Sequence, residues 1–200
     1  MARRHAEVAL KRLSSTPGEL RAVVLAELEA SGHAEDEVEH DIARHEISFL
    51  EDELPRLELY GVLFVLFAVF ESVVKRLPSL VVRDAEPPNF NREFVQNASR
   101  YFRETLKVPL FATPSDEQFF LMLSDLRAAI AHAGGNIALL KGKPKERIEN
   151  QWLRRFAGVE ATGSLLVISP DLVLAAAKLT DESLRGTITR LKAAYPPALE

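Results

Sequence analysis

The sequence predicts an all-α protein, a bundle of five or more helices, on three observations. Apolar residues recur at three- and four-residue spacing along most of the 200 residues. Helix start and stop signals punctuate those runs, with Ser115-Asp116-Glu117-Gln118 and Ser169-Pro170 as starts and Gly134-Gly135 as a stop. A single short stretch, 163–169, reads as extended.

The elements follow in order. Residues 3–30 carry Val8, Leu10 and Leu13, then Leu20, Val23, Val24 and Leu28, with a break at Thr16-Pro17-Gly18. This pattern predicts two short helices and a turn, closed by Ser31-Gly32, so 1–31 reads as an N-terminal helical extension and 32–200 as the main helical domain. From Glu35 to Leu54 the apolar residues are sparse, and 11 acids between Glu27 and Glu53 face a single Arg44. A helix here exposes a broad acidic face. Pro55 opens or kinks the next helix, Leu57 to Leu77, which is apolar nearly all round through YGVLFVLFAVF and reads as the central core helix. Pro78 and Pro87-Pro88 bracket a connection, and Asn89 to Lys107 shows a mixed helical pattern with several bases. Ser115 and Gln118 have capping-box spacing ahead of a helix from about Asp116 to His132, with Gly134-Gly135 as its C-terminal cap. Residues 142–150 are polar and read as a loop, GSLLVIS as a short extended segment. Ser169 as cap and Pro170 in the first position then open a last helix that runs to about Ala194.

Composition removes several kinds of chemistry. The chain has no cysteine, which excludes disulfides, zinc–thiolate sites and cysteine nucleophiles and suits a reducing cytoplasm. The N-terminus MARRHAEVALKRL lacks the apolar core of a secretory signal, and the longest uncharged helical run, Leu59 to Phe70, is 12 residues. That run is too short to span a bilayer, so a cytoplasmic protein without a membrane segment is expected. A net charge of −4 argues against broad nucleic-acid binding, but Lys141 to Arg155 holds six bases against two acids. Glycine-rich phosphate loops, nucleophile elbows and the H-E-x-x-H pattern are absent, and no cofactor is expected. His33, His40 and His45 lie in the acidic stretch, where Glu37 and His40 have the Glu-x-x-His spacing of di-metal bundles and Asp41 and His45 sit one turn apart. No second such motif accompanies them. They read as a solvated acidic surface, with no metal site expected.

Two polar features inside apolar runs stand out. Glu71 lies in LFVLFAVFESVV, where a carboxylate must reach solvent or find a cation. Arg127 is the obvious partner. In SDLRAAIAHAGGN, Arg127 and His132 are five residues apart, which on a straight helix is about 140° and about 7.5 Å along the axis. They do not share a face, but they can flank a groove crossing the helix end. His132 sits in the last turn, where the helix dipole favours the imidazolium. Taken alone, these residues fit either a capped core helix with polar ends or half of a catalytic pair.

The segment LRAAIAHAGG resembles the Arg-x4-His signature helix of the HEPN superfamily, commonly R-N-x-x-x-H at a helix end. LYGVLFVLFAVFESVV resembles an earlier HEPN helix that carries a glutamate near its C-terminal part, and GSLLVIS followed by a long helix is also seen in stand-alone members. The resemblance covers roughly 35–194. It implies an up-down bundle of HEPN type, a homodimer formed through the motif helices, and metal-independent RNA cleavage in a cleft lined by both protomers. It further implies that Arg127 holds the scissile phosphate and that His132 is the general acid or base for attack by the ribose 2′-hydroxyl. Such chemistry needs a proton-transfer group near neutrality and a fixed cation, and it is restricted to RNA. Lys141, Lys143, Lys145, Arg147, Arg154 and Arg155 either line an RNA path or form a solvated face, and Trp152 either stacks on a base or packs into the bundle. Two positions depart from the pattern. Ala128 stands where a polar residue is usual, and Gly134 replaces the tyrosine of the members regulated by nucleotidylation.

Three functional readings follow. One is a HEPN-type endoribonuclease, a toxin or defence effector, acting through a two-protomer site. The second is a HEPN-like module that pairs and binds a cognate protein or RNA partner without catalysis, favoured by Ala128 and the acidic surface. The third is an unrelated helical protein in which Arg127 and Glu71 form an internal pair.

Overall fold

The computed structural model describes residues 19, 21–26, 30, 37–81 and 93–196, and most of the expected N-terminal extension lies outside them. The described chain is mostly helical. Its helices are α1 (Glu37–Ser48), α2 (Leu54–Arg76), α3 (Phe94–Glu104), α4 (Pro114–Ala133), α5 (Lys143–Arg147) and α6 (Pro170–Ala194), with a hairpin of β1 (Val159–Thr162) and β2 (Leu165–Ile168) between α5 and α6.

Pro55 lies in the first turn of α2, as its place in the sequence predicts, but no break precedes that helix. A π-helical turn, Phe49–Glu53, joins α1 to α2 directly. Proline has no N–H for the preceding turn, and a widened turn is one way a helix absorbs that loss. Helical residues consequently run without a gap from Glu37 to Arg76. By length and composition the stretch Arg44–Leu80 is long and apolar enough to cross a bilayer, and 39% of its most apolar 18-residue window is buried inside the protein. The 12-residue uncharged run understates this helix because the charges flanking the run lie within the same helix.

α2 supplies the centre of the core. Tyr60, Leu63, Leu66, Phe67, Phe70 and Val74 recur at helical spacing and are buried against α4, α6 and β2. Around Phe70 the rings converge: Phe120 of α4 stacks on it at 4.1 Å between centroids, and Phe94 of α3 meets it edge-on at 6.1 Å. Phe111, just ahead of α4, completes the cluster at 5.1 Å from Phe120.

α4 begins two residues earlier than the spacing of Ser115 and Gln118 suggests. Thr113 is the cap: its hydroxyl accepts from the Asp116 N–H at 3.2 Å, the Asp116 carboxylate accepts from the Thr113 N–H at 2.9 Å, and Pro114 takes the first position. At the other end Gly134 adopts the left-handed conformation (φ 57°) and donates to the Ile130 carbonyl at 3.0 Å, as the two glycines predict. Gly135 has a further role. A Cβ there, at φ 83°, would lie 2.3 Å from the Tyr60 hydroxyl. That hydroxyl donates to the Leu166 carbonyl, while the Leu166 N–H donates to the Gly135 carbonyl at 2.8 Å, so α2, the end of α4 and β2 meet at one point. Burial pushes the Tyr60 phenol up from its ordinary pKa, which keeps it a donor.

Two stretches differ from expectation. GSLLVIS is a strand, but it is the second of an antiparallel pair, with Val159 opposite Ile168 and Thr162 opposite Leu165. Its partner VEAT buries only Val159 and so lacks an apolar signature. Residues 142–150 are largely helical rather than a loop: α5 passes into a π-helical turn, Ile148–Trp152, and a last helical turn, Leu153–Arg155. Ile148 and Trp152, four apart, are the two side chains that bury this polar segment.

Gly135→Ala is expected to lower stability by roughly 1–3 kcal/mol, because the new methyl must displace the Tyr60 ring in a left-handed backbone conformation. Urea denaturation checks this, and a variant as stable as the parent would show that the three-way junction is looser than described.

Candidate functional site

Arg127 projects from α4 onto α2. Its guanidinium lies over the rings of Phe64 and Phe67, 5.0 and 5.5 Å from their centroids, and one terminal nitrogen is 3.7 Å from the Glu71 carboxylate. Glu71 is shared, because Lys75 one turn further along α2 donates to its other oxygen at 2.6 Å. The glutamate therefore neither remains buried alone nor simply reaches water; its side chain is 20% exposed and bridges two cations. Two rings and a carboxylate fix the guanidinium plane, yet 37% of the Arg127 side chain stays open, and its Nε is buried without a hydrogen-bond partner among the described residues. Arg127 is held in place but not consumed.

His132 lies in the last turn of α4, exposed, and makes no hydrogen bond or ion pair among the described residues. Ala128 is half-buried. α4 stays α-helical through both polar residues, so Arg127 and His132 keep the angular separation that the spacing predicts. Two cavities lie elsewhere: about 440 Å³ beside Val24, His45, Glu46 and Phe49, and about 120 Å³ beside Ser99, Arg103, Pro109 to Pro114 and Glu117. Neither is lined by Arg127 or His132.

The basic segment divides. Lys141, Arg154 and Arg155 are exposed, with Arg155 over the Phe156 ring at 5.7 Å. Lys143 donates to Glu93 at 2.7 Å, which holds that carboxyl below its ordinary pKa, and Lys145 lies 3.9 Å from Glu149. Arg147 departs from the expected RNA path because it turns inward. Its Nε and a terminal nitrogen each donate at 2.6 Å to the two oxygens of Asp125, and the Trp152 indole N–H donates to the same carboxylate at 2.7 Å. Trp152 is fully buried and packs in the bundle.

Sequence reasoning missed Asp125, which is 2% exposed. The signal was its helical phase: Met122, Asp125, Leu126 and Ala129 fall on the buried stripe of α4, and a carboxylate on such a stripe requires a partner. Burial pushes the Asp125 carboxyl up from its ordinary pKa, against the hydrogen bonds of Arg147 and Trp152. Among the described residues no group of three or more His, Asp and Glu converges as metal ligands; His45 Nδ1 is 3.1 Å from the backbone carbonyl of Asp41.

These elements define an all-α protein in which α4 carries a fixed, half-open arginine and an exposed histidine on different faces. Compared with protein-family models, curated proteins and solved structures, the chain shows no match.

Arg147→Ala is expected to cost about 3–5 kcal/mol at neutral pH, since it strands a buried carboxylate. The loss shrinks as pH falls and Asp125 takes up a proton. The same sign holds in the parent: a carboxyl whose folded-state pKa lies above its unfolded value stabilises fully below the ordinary carboxylate range and loses that contribution as pH rises through the raised value. Chemical denaturation of parent and variant across the acidic to neutral range checks this, and a pH-independent difference would contradict it.

Proposed function

We propose that this chain is a HEPN-type helical module that works as a pair of copies and cleaves RNA, with Arg127 as the phosphate-holding cation and His132 as the proton-transfer group. The observation that carries the reading is the contrast within α4. Arg127 is fixed by Glu71, Phe64 and Phe67 while more than a third of it stays open, and His132, one and a half turns later, is exposed and unengaged among the described residues. A preorganised cation stabilises charge developing on a phosphorane, because no reorganisation is needed as the reaction proceeds. The imidazole, at the negative end of the helix dipole, moves the proton of the ribose 2′-hydroxyl or of the leaving oxygen. Since the two groups diverge on their own helix and line neither of the two cavities described above, the site is completed by a second copy. Lys141, Arg154 and Arg155 remain to meet the RNA backbone. A toxin or defence role in the cytoplasm fits such an activity.

A specific observation favours a second reading, a paired binding module without catalysis. Ala128 offers no side-chain hydrogen bond beside Arg127, and the exposed acids of α1 and its π turn suit a basic protein partner better than RNA.

Incubation of the purified protein with single-stranded RNA in EDTA separates the two. Cleavage that falls at least about 100-fold in His132→Ala and in Arg127→Ala supports the enzyme, and Ala128→Asn is expected to raise the rate. Intact RNA with the parent protein and with Ala128→Asn leaves the binding module.

A further inference from the structure

We propose that two copies pair antiparallel through the outward face of α2, with the two-fold axis between Val65 and Val69. The inference rests on the two-copy reading above and adds to it the surface and the register.

At about 100° per residue, Glu58, Gly61, Val65, Val69, Ser72 and Arg76 all project within about 40° of one line along α2. All six are exposed, Val65 by 60% and Val69 by 41%. Leu57 extends the apolar strip and is also exposed, whereas the opposite side of the helix is the fully buried Phe70 face. An apolar strip on the outside of an otherwise buried core helix is a surface that association covers.

Gly61 is the second observation. Glycine in a helix interior is unfavourable relative to alanine, and close approach of another backbone is the usual reason for it. Among the described residues nothing supplies that reason, because a Cβ at Gly61 meets no atom within 4 Å. The missing methyl makes room for something outside the protomer.

Charge then selects a second copy over other occupants. The strip begins at an acid, Glu58, and ends at a base, Arg76, and neither has an ion partner among the described residues. Antiparallel pairing about the point between Val65 and Val69 sets each Glu58 against the partner's end of the strip that carries Arg76, twice, and stacks Val65 on Val69, twice. It also opposes the two helix dipoles favourably.

The pairing has a consequence for Arg127. Its contacts, Phe64, Phe67 and Glu71, lie about 100° to 160° round α2 from the strip, outside the contact, and at the level of the axis. A two-fold perpendicular to both helices exchanges their ends but not their sides. Both Arg127 side chains therefore open on the same side of the pair.

The test is light-scattering mass in solution for the full chain. The parent is expected to be a dimer and Val65→Asp a monomer with an unchanged helical circular dichroism spectrum. Arg76→Glu, which leaves the fold untouched, is expected to weaken pairing by about tenfold, and Glu58→Arg combined with it to restore pairing. Because the chain has no cysteine, Val65→Cys with Val69→Cys is expected to form an interchain disulfide on oxidation, whereas exposed Leu139→Cys is not. A dimer that persists in both Val65→Asp and Arg76→Glu overturns this surface while leaving the two-copy reading intact. A monomeric parent overturns both, and one that floats with phosphatidylcholine vesicles assigns the strip to lipid. RNA cleavage is not read in this experiment, so a dimer of the predicted behaviour stands whether or not the chain is an enzyme.

Discussion

Burial of the inner face of α2 is the constraint on which the other elements depend. A 23-residue helix with phenylalanines at 64, 67 and 70 cannot rest in water on that side, and Phe94, Phe111 and Phe120 close over it from α3, the preceding loop and α4. Once α4 is pressed against α2 by the Phe70–Phe120 stack, its polar residues have set positions. Arg127 falls on Phe64 and Phe67 beside Glu71, Asp125 falls inward toward Trp152, and His132 is carried past the core to the surface. The fold thus turns one apolar helix into a ruler for the polar groups of another.

The two carboxylates of this region are handled in different ways. Glu71 stays partly in water between Arg127 and Lys75, where ion pairing is weak and serves chiefly to orient the guanidinium. Asp125 is removed from water and satisfied by three donors, and its bidentate hold on Arg147 clamps α5 and the π turn against α4. The first arrangement leaves a cation available to a ligand. The second withdraws one from the basic segment and gives that segment a fixed shape, from which Lys141, Arg154 and Arg155 project.

Much of the helical layout was legible because its signals are local. The continuous apolar run of α2, the glycines after α4 and the Ser169-Pro170 start of α6 each carry their own physical cause, and the pairing of Glu71 with Arg127 followed from the cost of a carboxylate in an apolar run. The misses are tertiary. β1 is exposed on three of its four residues and exists because β2 pairs with it, and the polar stretch of α5 is helical because Ile148 and Trp152 anchor it. Gly135 read as a cap residue alone, since nothing in the local sequence places Tyr60, 75 positions earlier, against it. The bare outer face of α2 was hidden for a similar reason: a helix apolar nearly all round reads as buried on more than one side, and only packing reveals which side is left open.

The central claim is that one chain holds half a site, and specific activity against protein concentration tests it most directly. Cleavage of single-stranded RNA in EDTA, measured per chain on serial dilution alongside the mass in solution, is predicted to fall as the dimer dissociates and to vanish in the monomer. An activity per chain that stays constant where the protein is monomeric, or no activity at any concentration, would contradict the account.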